Sequence, residues 1–303
     1  MTTAAPVLVA GRPARLLFVH AHPDDEMLAT GVAIAHHVAA GDEVHVLTCT
    51  LGEQGEVIPH ELAHLDADHE DTLGEFRRDE LRGAMTAIGA HSTVLGEDPA
   101  VGRLSRWRDS GMAGTTGAHD PRAWVRSDDE RAVAAVTEVI ASVAPDLVVT
   151  YDARGGYDHP DHVRTHEVTR RALAGMDEGS RPALFAVLTP RSWAQEDRDV
   201  LAVVDEVRGL GWALPTGDFP PSVVADEVVT HAVVDETAVE RQVAALRHHS
   251  TQVTLGPRGT YALSNDIVAR LCGREGYARL DVTTGEPLPA LVPGERPPLV
   301  ARR

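Results

Sequence analysis

Short apolar runs alternate with segments of helical periodicity, and this alternation limits the folds that the first two thirds of the chain can adopt. Residues 16–20 form an apolar run without polar alternation, as expected of a parallel strand that is covered on both faces. The apolar residues of the segment 68–89 instead recur at helical spacing. The expected strands are residues 16–20, 43–50, 146–151 and 183–188, and the expected helices are residues 26–40, 68–89, 132–143 and 163–173. This order predicts an α/β fold with a Rossmann-like, doubly wound and mostly parallel sheet.

The chain after about residue 190 has a different pattern, with a strand-like segment at 222–234 and a helical segment near 236–249. We therefore interpret residues 1–185 as a Rossmann-like domain and residues 186–303 as a smaller C-terminal α+β region packed on it. The last twenty residues contain five prolines, and we expect this end of the chain to be loose.

The composition excludes several classes of function. All 28 basic residues are arginine, so the chain can form no lysine Schiff base and lacks the lysine of a Walker A loop. The net charge of −18 argues against a nucleic-acid partner, which would need a concentrated basic surface. No apolar run approaches the roughly 20 residues of a membrane span, and no signal peptide is recognisable. With Cys49 and Cys272 expected to be buried thiols, we expect a cytoplasmic protein; the oligomeric state stays open.

Polar residues suited to binding a metal follow two of the expected strands. Ligands of open α/β sheets bind beyond the carboxyl ends of the strands, where a dinucleotide enzyme would carry a glycine fingerprint. This chain instead has His22-Pro23-Asp24-Asp25-Glu26 after the first expected strand and His159-Pro160-Asp161-His162 after the third. His22 and Asp25 can point at one ion across a turn, and His162 would complete a set of two histidines and one carboxylate. Such a set leaves open positions for water and substrate.

The remaining residues of the two motifs have other possible roles. Asp24, outside the ligand set, could accept a proton from a metal-activated water, and His159 could act on the substrate. Asp161 could orient a ligand histidine. Glu26 either stabilises the start of a helix or holds a ligand in place. Ordinary surface or core roles are expected for His36, His37, His60, His64, His69, His91, His248 and His249.

The two motifs resemble those of the LmbE-like (PIG-L) superfamily of zinc-dependent N-acetylglucosamine deacetylases, and the likeness covers most of the chain. Residues 48–58, 106–114 and 262–265 further resemble the mycothiol-pathway deacetylases of that superfamily. The resemblance implies hydrolysis of the N-acetyl group of 1-D-myo-inosityl 2-acetamido-2-deoxy-α-D-glucopyranoside, a small sugar–inositol substrate. It also implies one zinc ion per subunit, carried by the Rossmann-like domain.

The resemblance implies a role for each residue that matches the motifs. The zinc ligands would be His22, Asp25 and His162. The residues that hold sugar or inositol hydroxyls would be Arg77, Asp109 and Glu56. Asp24 would be the general base, His159 the electrostatic partner or general acid, and Tyr157 would help to polarise the amide carbonyl. Whether His159 or Asp24 protonates the departing amine stays open.

Several alternatives remain at this point. The sister amidase that cleaves mycothiol S-conjugates uses the same metal site, but its first motif is followed by a lysine, which this chain lacks. Another LmbE-like N-acetylglucosaminide deacetylase is a further alternative. A non-catalytic sugar-binding protein on the same scaffold would not need Asp24. Two histidines and one carboxylate also suit iron(II), although zinc is the usual choice for hydrolysis.

Overall fold

The computed structural model describes residues 3–204 and 209–302 of the chain. The strands are β1 (Val7–Val9), β2 (Arg15–His20), β3 (Glu43–Thr48), β4 (His91–Val94), β5 (Leu147–Thr150), β6 (Ala183–Pro190), β7 (Val223–Val224), β8 (His231–Val234), β9 (Thr254–Leu255), β10 (Thr260–Ala262), β11 (Val268–Arg270), β12 (Arg274–Leu280) and β13 (Val300–Arg302). The α-helices are α1 (Asp25–Ala39), α2 (Leu73–Ile88), α3 (Asp129–Val143), α4 (Gly155–Asp158), α5 (Pro160–Ala174), α6 (Arg191–Val203) and α7 (Ala238–Leu246).

A central sheet in the order β4-β3-β2-β5-β6-β12-β8 organises the molecule, with β7 paired to the end of β6. The pairs from β4 to β6 are all parallel, whereas β12 runs antiparallel to both β6 and β8. On β2, Leu16 and Phe18 face a core shared with α1, α2 and α7, and Leu17 and Val19 face a core shared with α3 and α5. Helices on both faces of a mostly parallel sheet confirm the predicted α/β fold.

Two of the elements that the sequence did not predict, β4 and α6, bury few residues. Strand β4 is an exposed, polar edge strand, and α6 buries one residue, Leu201. The segment 222–234 forms the separate strands β7 and β8, and α2 begins at Leu73, after a 3-10 helix at His60–Leu65. Both cysteines are free, but only Cys49 is fully buried. None of the helices in the described ranges is long and apolar enough to cross a membrane.

The C-terminal part of the chain is built into the sheet. Its strands β8 and β12 extend the sheet beyond β6, and residue 185, the expected domain boundary, lies within β6. The division into residues 1–185 and 186–303 stays a prediction. The expectation of a loose chain end does not hold through Arg302, because β13 pairs in parallel with β1 and Leu299 is buried. Pairing between the two ends of a chain leaves no local signal in the sequence.

Helix α1 is broken at Thr30, which has a non-helical φ of −137°. The C-terminal part of the chain satisfies backbone groups on both sides of this break. The Glu275 carboxylate accepts hydrogen bonds from the Val32 and Ala33 amides, at 2.7 and 2.9 Å, and Gln242 Nε2 donates to the Met27 carbonyl at 2.6 Å. The break is therefore held by side chains more than 200 residues away.

Replacing Glu275 with alanine should lower the free energy of unfolding, because two buried backbone donors lose their acceptor. Each buried donor without a partner costs about 1–3 kcal/mol, so the expected loss for the two donors is roughly 2–6 kcal/mol. Chemical denaturation of the purified variant measures it. The matched control is Glu286→Ala at an exposed glutamate, with an expected change below about 0.5 kcal/mol. Equal losses in both variants would show that the Glu275 contacts contribute nothing.

Candidate metal centre

The two motifs meet because the strands that precede them are parallel neighbours. Strands β2 and β5 pair in the register Leu16↔Leu147, so both strands end at the same edge of the sheet. The first motif turns from β2 into α1. The second follows the irregular turn α4 and enters α5 at Pro160, a favourable first helical residue. The topology thus places both histidine–aspartate motifs at one sheet edge.

Gly155 allows the second loop to lie directly against helix α5. Its φ is +59°, and a Cβ at this position would lie 2.6 Å from the Val163 nitrogen and 2.7 Å from the His162 Cβ. The Gly155 carbonyl also accepts a hydrogen bond from His162 Nδ1 at 3.1 Å. Because a carbonyl only accepts, this bond fixes the proton on Nδ1 and leaves Nε2 of the neutral ring as an acceptor. A larger residue here would displace the loop that orients His162.

Three acceptor atoms converge at the centre of the site. His22 Nδ1, Asp25 Oδ2 and His162 Nε2 each lie 3.3 Å from the other two. The Asp25 oxygen is further held by Tyr151, whose hydroxyl donates to it at 2.7 Å, and by the His22 amide at 2.9 Å. Atoms at this spacing can all touch one ion at roughly 2.0–2.2 Å, the length of zinc–nitrogen and zinc–oxygen bonds.

The surrounding charges favour a cation at this position. His22 Nε2 lies 3.3 Å from carboxylate oxygens of both Asp109 and Asp161, so its proton lies on that side and Nδ1 faces the site. Although burial opposes protonation, these carboxylates and Asp25 raise the pKa of His22 well above its usual value. If no cation lies next to Nδ1, the His22 ring therefore takes up a proton there. The donor set therefore fits a divalent metal ion, which would replace that proton.

Asp109 and Asp161 hold His22 from the side opposite Asp25. Asp161 is fully buried and accepts the Ser110 amide at 2.9 Å. Asp109 accepts the amides of Gln54 and Gly111, at 3.1 and 2.8 Å. Both carboxylates are thus fixed by the backbone, and Asp109, expected to bind substrate, also contacts a candidate metal ligand. Carboxylates in this position set the tautomer and orientation of a ligand histidine.

Asp24 precedes the candidate ligand Asp25 in the chain, but its contacts are with other residues. Its Oδ1 accepts a hydrogen bond from Arg77 at 3.1 Å, and its amide donates to Glu26 Oε2 at 2.9 Å. Burial raises the pKa of Asp24 to about 6, although Arg77 opposes the shift. Arg77 also donates to the carbonyls of Pro23 and Gly52. Much of its hydrogen-bonding capacity therefore goes to the protein.

His159 and Tyr157 lie next to His162. The His159 ring stacks on His162 at a centroid distance of 4.7 Å, and His159 Nδ1 accepts the Asp161 amide at 3.2 Å. Burial lowers the pKa of His159 to about 3, so the neutral ring carries its proton on Nε2. The Tyr157 ring meets the edges of His159 and His162 and is 51% exposed. Partial loss of solvent around the hydroxyl, together with the Asp25 charge, raises the pKa of Tyr157 and keeps its hydroxyl protonated.

A cavity of about 860 Å³ opens onto this centre. Every site residue expected from the sequence lines this cavity: His22, Asp24, Asp25, Glu56, Arg77, Asp109, Tyr157, His159 and His162. Glu56 is exposed on its wall, whereas Arg77 and Asp109 are buried. The C-terminal part of the chain also lines the cavity, through residues that include Trp193, Gln252, Tyr261, Ser264, Asn265 and Cys272. The site therefore depends on both parts of the chain.

Two residues of the site escaped the sequence reasoning. Tyr151 was assigned only to a strand, yet its hydroxyl accepts the Ala21 amide and donates to Asp25. Its place at the end of the third expected strand was the one available signal. The sequence predicts an ordinary surface or core role for His249; the residue is fully buried, as in a core, but it also pairs with Glu26 at 2.8 Å. These partners are separated by 223 residues, and no local pattern announces the pair.

Comparison with known proteins agrees with this architecture. Residues 17–173 match the PIG-L family, described as GlcNAc-PI de-N-acetylase. A Mycolicibacterium smegmatis protein named 1D-myo-inositol 2-acetamido-2-deoxy-α-D-glucopyranoside deacetylase is 43% identical, over 89% of this chain and 91% of its own. A protein of the same name from Rhodococcus jostii is 43% identical, over 90% and 93%.

A solved structure shows the same fold. It is a deacetylase of the teicoplanin biosynthesis pathway, in a complex described as deacetylase-bog, with a TM-score of 0.50 and 18% identity. The match covers 88% of this chain and 99% of that one. On the strength of the family match and of the relatives in Mycolicibacterium and Rhodococcus, this chain belongs to the PIG-L family of de-N-acetylases.

Proposed function

We propose that this protein is a metal-dependent amide hydrolase that removes the N-acetyl group of 1-D-myo-inosityl 2-acetamido-2-deoxy-α-D-glucopyranoside, a step of mycothiol biosynthesis. The products are acetate and the free amine. The observation that carries the proposal is a buried aspartate, Asp24, that lines the same cavity as three acceptor atoms spaced at 3.3 Å. The substrate is suggested by the names of relatives that are 43% identical over about nine tenths of the chain.

His22, Asp25 and His162 would hold one zinc ion per subunit. Two imidazole nitrogens and one carboxylate oxygen are typical of catalytic zinc sites, in which a further position stays open. The same three ligands can also bind iron(II), which is the alternative ion. The chemistry that the bound ion supplies is the polarisation of the amide carbonyl and a lower pKa for water.

Asp24 would be the general base. Its carboxylate is ionised at neutral pH and accepts the proton of the attacking water as the carbon–oxygen bond forms. A pKa of about 6 suits this role, because a base works best when its pKa lies near the working pH. Arg77 holds the carboxylate and Glu26 holds the backbone amide, so both contacts orient Asp24 before substrate binds. Asp24 would then return the proton to the departing amine.

His159 and Tyr157 would stabilise the negative charge that develops on the carbonyl oxygen. The hydrogen bond from the Asp161 amide to His159 Nδ1 favours a neutral ring, in which Nε2–H is a donor. The lowered pKa of His159 argues against a role as general acid, because an acid must be protonated in the reactive complex. The Tyr157 hydroxyl has no hydrogen-bond partner among the described residues and would donate to the same oxygen.

Glu56, Arg77 and Asp109 would contact the hydroxyls of the sugar–inositol substrate. The Glu56 carboxylate is exposed on the cavity wall and makes no side-chain hydrogen bond within the described part of the chain. It is therefore available to a ligand. Arg77 and Asp109 line the same cavity while they hold Asp24 and His22, so each would serve both the substrate and the reacting groups.

Comparing two substrates tests the proposed activity. We expect acetate release from the acetylated sugar–inositol to have a higher kcat/KM than cleavage of a mycothiol S-conjugate, measured with one enzyme preparation. Faster cleavage of the conjugate would favour the amidase alternative. Tight sugar binding without turnover in metal-loaded protein would instead support a binding protein.

Replacing Asp24 with alanine should leave the metal bound but remove nearly all turnover, because Asp24 lies outside the three converging acceptors. His22→Ala and His162→Ala should lower metal affinity, since each removes a ligand. Metal content per subunit, measured on protein prepared without oxygen, checks this and distinguishes zinc from iron. If Asp24→Ala loses the metal while Asp25→Ala retains it, then Asp24 is the metal ligand and Asp25 is the candidate base.

Replacing His159 with alanine should lower kcat by about 10²- to 10³-fold, as expected for the loss of a donor to the developing oxyanion. His159→Gln, whose amide can place an N–H near the position of Nε2, should recover part of that loss. Because His159 is neutral above about pH 3, neither variant should move the basic limb of the pH–rate profile. A basic limb that disappears in both variants would identify His159 as the general acid.

A further inference from the structure

Glu26 links the catalytic loop to a buried histidine from the far end of the chain. Glu26 and His249 are both fully buried, and His249 Nε2 lies 2.8 Å from Glu26 Oε1. The other oxygen of the same carboxylate accepts the Asp24 amide at 2.9 Å. One carboxylate therefore joins His249 to the backbone of Asp24.

The backbone of Asp24 needs such a contact. Its φ is +106°, which is unfavourable for any residue with a side chain. A residue in such a conformation persists only where its surroundings hold it. Glu26 holds the amide and Arg77 holds the carboxylate, so the direction of the side chain depends on both contacts.

The two residues after His249 are fixed to helix α2. The Glu80 carboxylate accepts hydrogen bonds from the Thr251 amide and hydroxyl, at 2.8 and 2.7 Å, and from the Ser250 hydroxyl at 2.9 Å. Glu80 lies on α2, the helix that also carries Arg77. The turn that follows α7 is thereby fixed to the helix that contacts the Asp24 side chain.

The side-chain nitrogens of His249 make one polar contact among the described residues, the one with Glu26. Its Nδ1 is buried without a hydrogen-bond partner in the described residues, and neither His249 nor Glu26 is among those that line the cavity. Burying an imidazole is unfavourable unless its polar atoms are used. The ion pair with Glu26 is therefore the contact that accounts for a histidine at this position.

We propose that His249 is a positioning residue, which sets the orientation of Asp24 by holding Glu26. It touches neither the substrate cavity nor the metal ligands, and its effect on the reaction passes through a single carboxylate. The inference rests on the proposed function, in which Asp24 is the base. It also gives the C-terminal part of the chain a role in catalysis beyond that of a cavity wall.

The test compares His249→Leu with His249→Gln. Leucine fills the space without a donor, whereas glutamine can place an N–H near the position of Nε2. We expect His249→Leu to lower kcat by about 10- to 100-fold, the usual effect of a slight displacement of a catalytic group. KM and metal content should change less than twofold, and His249→Gln should recover most of kcat. The exposed neighbour supplies the matched control, His248→Leu, for which kcat should stay within twofold.

A double variant shows whether the effect passes through Glu26. In Glu26→Gln, one side-chain oxygen remains for two donors, so kcat should already fall. Adding His249→Leu to this background should then lower kcat less than twofold further. If the kcat losses of the two single variants multiply in the double variant, the proposal is overturned. It is also overturned if His249→Leu lowers the melting temperature but leaves kcat unchanged. If His249→Leu does not fold, a kcat for His249→Gln as low as that of Glu26→Gln would equally overturn it.

Asp24→Asn separates failure of this inference from failure of the proposed function. If Asp24→Asn retains turnover, Asp24 is not the base, and both the proposed mechanism and the inference fall. If Asp24→Asn is inactive with its metal bound while His249→Leu has the kcat of the parent, only the inference falls. Loss of kcat in both variants, with metal retained, is the expected result.

Discussion

Parallel pairing of β2 with β5 is the constraint on which the site depends. The strands end at the same edge of the sheet, and each is followed by a loop that carries histidine and aspartate. If β5 were antiparallel, its motif would lie at the opposite edge. The alternating strands and helices impose this arrangement, because a crossover helix must return the chain to the same end of the sheet. The convergence of the two motifs is thus a direct consequence of the fold topology.

Electrostatics at this edge are arranged in two layers. The inner layer consists of acceptor atoms that repel one another unless a cation lies between them. The outer layer of buried carboxylates and backbone amides holds the inner atoms in position, as Asp161 does for His22 and Tyr151 does for Asp25. Asp24 belongs to neither layer. Its contacts with Arg77 and Glu26 keep it apart from the ligand set, where a raised pKa suits proton transfer.

The C-terminal part of the chain contributes more than extra strands. It supplies part of the cavity lining, and Glu275 and Gln242 form hydrogen bonds with backbone groups beside the break in helix α1. His249 also contacts Glu26, next to the two aspartates of the first motif. The contacts of Glu275, Gln242 and His249 all fall on residues 26–33 of α1, the helix that begins within the first motif. Orientation of a reacting group to within a fraction of an ångström requires such support, since loops alone hold side chains poorly.

The sequence by itself determined the α/β fold, the sheet edge that carries both motifs and the motif residues that line the cavity there. These follow from local signals: the period of the apolar residues, and two motifs that directly follow strands. Only the tertiary structure decided which atoms converge and what supports them. The extra contacts of Arg77 and Asp109, the Tyr151 bond to Asp25 and the Glu26–His249 pair join distant residues. So does the pairing of β13 with β1. Local periodicity records how a segment buries its own apolar face, but it carries no record of a partner that arrives from the other end of the chain.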